Sequence, residues 1–324
     1  MKAVLAAALI VVITTTGGVT AQPAKVARVG FLSSADEAGA VSRVEAFRRG
    51  LRELGHVEGQ NLRIEYRWAN GRDDRLSALA ADLVRSGVDV IVTQGTPPSL
   101  AAQRATTTIP IVFAVVGDPV GAGLVASVGR PGGNVTGLTS IAPDLAGKRL
   151  ELLRQALPAL ARGVILLNPS NPVSVREVRE TVAAGRALGL ALQVREASAP
   201  EHFEPIFTAL RGERATAVIV LSDVMFSGQH ALISALALKH RLPVAAWTGE
   251  FVESGSLMSY GPSILHMHRQ AAGIVDRILK GTRPAEIPVE QPSTYELALN
   301  LRTAGALGLT IPPGLVLQAD RVIR

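Results

Sequence analysis

Beyond residue 25 the hydrophobic pattern alternates between two periods. Short β-branched runs at 26–33, 62–68, 88–94, 109–116 and 135–139 read as buried strands. Between them, apolar residues recur at helical spacing: Val44, Phe47, Leu51 and Leu54 within 41–54, and Leu76, Leu79 and Leu83 within 75–86. Strands alternating with amphipathic helices predict a parallel sheet covered on both faces. The pattern then restarts, with helix 145–157, strand 163–167, helix 173–188, strand 190–197, helix 205–212, strand 217–221, helix 229–240 and strands 242–247 and 257–260. Two matching units predict an α/β protein of two Rossmann-like, doubly wound lobes, whose default ligand site is the cleft between them. Helix 263–279, a strand at 287–290, the run 295–300 and helix 301–307 read as returns of the chain between lobes, so that several hinge segments join them. The expected division is 25–139 plus 262–289 for the N-terminal lobe and 140–261 plus 290–324 for the C-terminal lobe.

The start of the chain follows a different logic. After Met1 and Lys2, eleven apolar residues run from Ala3 to Ile13, followed by a polar stretch and small residues at Val19 and Ala21. Eleven residues at a rise of ~1.5 Å cross roughly half of a ~30 Å hydrocarbon core, too little for an anchor. The pattern matches a secretory signal peptide over 1–21, cleaved after Ala21. No later stretch reaches ~18 unbroken apolar residues, so no membrane insertion of the mature chain is expected. Export without a lipid-bearing cysteine predicts a soluble protein of the periplasm.

Composition narrows the chemistry. At 324 residues, 48% hydrophobic and 19% charged, the chain is long enough for two domains and too apolar to be disordered. It has no cysteine, which excludes disulfides, thiolate metal sites, iron–sulfur clusters and a thiol nucleophile. The net charge of +6 is scattered. Its tightest group, Arg43, Arg48, Arg49 and Arg52, shares a helix with Glu45 and Glu53 and reads as a solvated face rather than a phosphate-reading one. No nucleic-acid partner is expected.

In open α/β sheets ligands lie beyond the carboxyl ends of the strands, so those turns supply the candidate site residues. After the first strand, Ser33 and Ser34 are placed to cap a helix or offer hydroxyls. After the third come Gly95, Thr96, Pro97, Pro98 and Ser99; Thr96 reads as a cap, and Thr96 and Ser99 are the donors available to an anion because the prolines carry no N–H. Asp118 follows the fourth strand, placed to meet a ligand ammonium, brace its loop, or both. In the second unit the equivalent turns carry Asn171, read as a helix N-cap with its amide free for the cleft, and the carboxylates Asp223 and Glu250. Acids on one lip and hydroxyls on the other suit a zwitterion. Tyr260, beside Gly261 and Pro262, is balanced between hinge packing and the cleft, whereas Tyr66, Trp68 and Trp247 read as core.

Catalytic patterns are missing. There is no G-x-S-x-G elbow, no G-x-G-x-x-G after the first strand and no P-loop. The one close histidine pair, His266 and His268, points apart on a helix, so no metal, cofactor or catalytic residue is expected.

Three blocks carry a family resemblance. They are Gly117 to Ser127 continuing through Arg130-Pro131-Gly132-Gly133-Asn134-Val135-Thr136-Gly137, Gly255 to Pro262, and Pro288 to Pro292 with Ala304 to Pro313. Together they resemble ABC-transporter substrate-binding proteins of the tryptophan/tyrosine-binding type, over essentially the whole mature chain. The resemblance implies a type I periplasmic-binding fold with three hinge segments, and ligand contacts in the first lobe at Ser33, Thr96 and Asp118. It also implies a small-molecule solute captured in the cleft, an ABC permease with its ATPase subunits as partners, and a monomeric receptor that is not an enzyme. The ending Gln318 to Arg324 departs from relatives, which tend to keep acidic residues there. A periplasmic enzyme using Asp118 or Asp223 as acid and base is the alternative; an effector-sensing module of a regulator is disfavoured, since an export signal stands where a DNA-binding motif would be needed.

Overall fold

The computed structural model describes residues 26–210, 212–213 and 216–324. The expected signal peptide lies outside them. The first unit comprises β1 (Ala27–Ser33), α1 (Glu37–Glu53), β2 (Leu62–Trp68), α2 (Leu76–Ser86), β3 (Val90–Gln94), α3 (Thr96–Ala105), β4 (Ile111–Val116) and β5 (Val135–Thr139). The second runs α4 (Ala142–Ala156), β6 (Arg162–Leu167), α5 (Val173–Ala187), β7 (Ala191–Glu196), α6 (Phe203–Leu210), β8 (Val218–Val220), α7 (Val224–Gly228), α8 (His230–Lys239), β9 (Val244–Ala246), α9 (Gly249–Glu253) and β10 (Met258–Gly261). Then come α10 (Ile264–Leu279), β11 (Glu296–Asn300), α11 (Leu301–Leu307), α12 (Pro313–Gln318) and β12 (Arg321–Ile323).

The first sheet has the order β2-β1-β3-β4-β5, all parallel. The second has the order β7-β6-β8-β9-β10-β11-β12. Its first five strands repeat the order of the first sheet, and β11 joins antiparallel to β10. Each sheet therefore has its topological switch point between its first and third strands, β1 with β3 and β6 with β8, where the loops splay and a ligand fits. The two-lobed, doubly wound α/β architecture predicted from periodicity is the one observed.

The chain passes between the sheets after β5, after β10 and again ahead of β11. The second passage returns α10 to the first sheet, where it packs on α1 and β4. The third begins where strand 287–290 was expected. That segment is not a strand: its one ladder contact is an isolated bridge from Glu290 to Leu138, beside β5. Pro288 has no N–H to donate, which interrupts a ladder. Short elements also escaped the periodicity, namely α7, α9, α12 and β12, each too brief to show a period. Among the described residues no helix is long and apolar enough to cross a membrane.

The largest apolar cluster belongs to neither lobe alone. It joins Phe31, Phe47 and Val112 of the first to Phe203, Phe226 and Trp247 of the second. Full burial of one such side chain contributes about 1.5–3 kcal/mol, so apposition of the lobes is itself a packing interaction. Small residues permit it. A Cβ on Gly39 would lie 2.3 Å from the carbonyl oxygen of Gly228 in the opposite lobe, so α1 and α7 meet backbone to backbone.

Candidate functional site

The two switch points face each other across a narrow cavity of about 20 Å³, room for about one water with the lobes in this apposition. From the first lobe come Gly95, Thr96, Val115 and Gly117, with Ser140 at the first passage. The second lobe contributes Asn171, Val173, Ser222, Asp223, Val224 and Trp247. Gly95, the residue before α3, has φ +94, and a Cβ there would lie 2.6 Å from Val224 Cγ2. Glycine is thus required twice over, by its backbone angle and by the close approach of the facing lobe.

Asp223 is the one ionisable residue lining the cavity, and it is buried. It caps α7, its Oδ1 accepting from the Met225 N–H at 2.9 Å and the Phe226 N–H at 3.4 Å. Its Oδ2 accepts from Asn171 Nδ2 at 3.0 Å and Asn168 Nδ2 at 3.2 Å. Burial and the facing carboxylate of Asp73 push the Asp223 carboxyl up, to about 7, against the pull of these donors. Asp73 belongs to the turn after β2. Its Oδ2 accepts from the same Asn168 Nδ2 at 3.0 Å and its Oδ1 from Ser34 Oγ at 2.5 Å, and burial pushes its carboxyl up too. One amide nitrogen therefore joins two acids from opposite lobes.

Two buried donors lack an acceptor at this place. Trp247 lines the cavity and its indole Nε1–H is unpartnered. Gln94, immediately before Gly95, accepts from Ser33 Oγ through Oε1 at 3.0 Å, while its Nε2 has no partner. An unpaired buried donor costs about 1–3 kcal/mol, so these groups favour a ligand that brings acceptors.

The residues nominated from sequence divide into two sets. Thr96, Asn171 and Asp223 line the cavity together. Thr96 is the first residue of α3 rather than its cap, a place taken by Gly95, whereas Asn171 caps α5 as expected, with Pro172 in helical conformation at the first turn and the Ser174 N–H bonded to the Asn171 carbonyl at 3.0 Å. The Asn171 side chain accepts from the Val173 N–H at 3.2 Å and spends its amide on the Ser222 carbonyl and Asp223, so that amide is engaged, not free. Ser33 lies behind the wall on Gln94. Ser99 is turned into its own helix, with Oγ bonded to the Gly95 carbonyl and Thr93 Oγ1, both at 2.7 Å.

Asp118 and Glu250 each meet an arginine of the opposite lobe. Asp118 accepts from Arg176 Nη1 at 2.8 Å and from the Gly121 N–H at 2.8 Å. Glu250 accepts from Arg43 Nε at 3.1 and 3.2 Å, from Arg43 Nη2, and from Ser42 Oγ at 3.0 Å. Burial pushes the Glu250 carboxyl up, but Arg43 and Ser42 outweigh it and hold it below the usual range. Tyr260 lies at the second passage, its ring 6.2 Å from that of Tyr295 and its carbonyl accepting from Arg149 Nε at 3.1 Å.

Arg43 corrects the sequence reading most sharply, because it is wholly buried rather than solvated. Its place on the stripe of Ala40, Val44, Phe47 and Leu51 was the available signal. His268, on α10, is buried near it. The Nδ1–H of His268 donates to the Ile264 carbonyl at 2.8 Å, and burial lowers its pKa to about 4, so the ring is neutral. Asp73 was legible by the rule that found Asp223, since it stands in the turn after β2; Trp247, read as core within strand 242–247, is indeed buried but is the first residue past β9 and lines the cavity.

A family model for ABC transporter substrate-binding proteins matches residues 28–323. A curated tyrosine-binding protein of Clostridioides difficile is 26% identical over 265 residues, covering 82% of this chain and 76% of its own. Among solved structures, a conserved domain protein from Vibrio cholerae superposes with a TM-score of 0.85 at 28% identity, over 92% of this chain and 100% of that one. An ABC domain from Streptococcus pneumonia in complex with L-Trp gives 0.84 at 26% identity, over 92% and 99%. The fold is that of type I periplasmic-binding proteins.

Proposed function

Because the chain belongs to the ABC transporter substrate-binding protein family, we propose that it is a periplasmic receptor that captures an amino acid, or a closely related zwitterion, between its lobes and delivers it to a membrane permease. The observation that carries this reading is the division of the cavity wall. The acid, Asp223, stands on the second lobe, and the hydroxyl of Thr96 stands on the first, with Ser140 at the passage between them. With the lobes parted to admit it, a solute would place its ammonium beside Asp223 and its carboxylate at the two hydroxyls and the Trp247 N–H. Val115, Val173 and Val224 offer an apolar side chain its surroundings. A solute touching both walls binds the closed form better than the open one, and that difference drives closure. The names of the relatives, one tyrosine-binding and one in complex with L-Trp, favour the same ligand class. The apolar segment ahead of Ala21 supports export, and ATP hydrolysis belongs to partner subunits.

The test is native mass spectrometry of the chain purified from periplasm, alongside thermal shifts with the twenty amino acids. One unchanged amino acid bound at one per chain, raising Tm, is the expected outcome. A chemically altered product would support an enzyme, and no binding by any amino acid would overturn the proposal.

A further inference from the structure

Two interlobe acids stand side by side, and among the described residues no cationic side chain pairs with either. Asp73 and Asp223 each accept a hydrogen from Asn168 Nδ2, and every other partner they have is neutral: Ser34 for Asp73, and Asn171 and two backbone N–H groups for Asp223. The charged groups around them are engaged or of the same sign. On the turn carrying Asp73, Arg72 pairs with Glu201 at 2.7 Å and Arg75 donates to the Ala69 carbonyl at 3.3 Å, while Asp74 adds negative charge. At the start of α1, Asp36 is held by the Gly39 N–H and by Gln229 Nε2. His202, on the turn that contacts Gly71, accepts from the Ser198 N–H. Among the described residues no side chain neutralises the two carboxylates, of which Asp223 is buried and Asp73 half-buried, and like charges so placed disfavour joint ionisation. Independently, the unpartnered, buried Trp247 N–H on the same cavity calls for a ligand acceptor.

Resting on the reading of the cleft as an amino-acid site, we infer that Asp73 and Asp223 form a cation-exchange site that holds one proton between the lobes and gives it up to solvent when a primary ammonium enters. Charge balances in that exchange. One positive charge arrives on the ligand nitrogen, one proton leaves, and no covalent bond to carbon changes. Asp73 thereby acts on specificity without lining the cavity: it makes the site one for ammonium groups rather than for neutral polar ends of similar shape.

The experiment is calorimetric titration of the mature chain with each of the twenty L-amino acids at pH 5.5 and 7.5, in buffers of low and high ionisation enthalpy. With a carboxyl at about 7 to deprotonate, affinity rises about 20-fold between these pH values, and close to one proton is released per amino acid bound at pH 5.5. In Asp73→Asn that rise shrinks severalfold. Binding with the same affinity at both pH values and no buffer dependence overturns the exchange while leaving the receptor reading intact. Failure of all twenty to bind overturns the receptor reading itself. Should Asp73→Asn fail to fold, ¹³C-carboxyl NMR of the unliganded wild type decides the matter: an aspartate titrating well above the ordinary range supports the proposal, and none doing so overturns it.

Discussion

The lobes meet through two buried acidic contacts that solve the same problem in opposite ways. At one, Glu250 receives the Arg43 guanidinium of the facing lobe, with Ser42 beside it, and stays ionised. At the other, Asp223 receives only amides and N–H groups and faces a second acid. The first contact is charge-balanced within the chain, although Arg43 Nη1 stays unpartnered, and it clamps the lobes; on the proposal above the second is balanced by a proton or an external cation. An interlobe acid with its own arginine is architecture; one without is the acid that the proposed receptor reading gives to the ligand. Asp118, held by Arg176, belongs with the first kind.

The largest break in that contrast comes from removing the guanidinium. Arg43→Met leaves Glu250 buried and uncompensated, with an expected loss of about 3–5 kcal/mol in urea denaturation. The double replacement Arg43→Met with Glu250→Leu regains most of it, because a buried ion pair exchanged for apolar groups is often neutral. Equal losses in both variants would deny the clamp.

The pH dependence sharpens the contrast because the two contacts carry opposite signs. His268, beside Arg43, has its folded pKa lowered to about 4 from an unfolded value of 6.5. Its contribution is present above 6.5 and is lost as pH falls toward 4, by about 3 kcal/mol at most. Asp223 has a raised folded pKa. Its contribution is present below about 4 and is lost as pH rises toward 7 in the unliganded chain. The two windows overlap and offset each other in the wild type, so across pH 4–7 stability falls more steeply with pH in His268→Leu and rises more steeply in Asp73→Asn than in the wild type. Shifts of the same sign would contradict the assignment.

Smaller effects follow. Gly95→Ala forces a Cβ onto Val224 at an unfavourable φ and costs about 1–3 kcal/mol, with lobe separation visible as a larger radius of gyration in X-ray scattering. Asp118→Asn breaks a half-exposed pair and costs under about 1 kcal/mol.

The sheets were legible because both faces of their strands are buried, which writes β-branched runs into the sequence. Strand ends then located Thr96, Asn171 and Asp223 without any knowledge of how the lobes meet. What periodicity lacks is a partner term. Glu250 reads as a free carboxylate because Arg43 lies 207 positions away and its helix carries charges on the opposite face. The carboxylate of Asp73 stands after β2, a strand end like the others, but its meaning depends on Asn168, 95 positions on, in the other lobe. Local pattern fixes which face of an element is buried; charge compensation across a cleft is decided only when the lobes come together.

The most direct test of the account is equilibrium dialysis of wild type and Asp223→Asn against the amino acid that the wild type retains. The account predicts one bound molecule per wild-type chain and an affinity at least about tenfold weaker in the variant, a difference of about 1.4 kcal/mol, with unchanged circular dichroism. Equal affinity in the two proteins would show that the unpaired acid does not hold the ligand and would contradict the account.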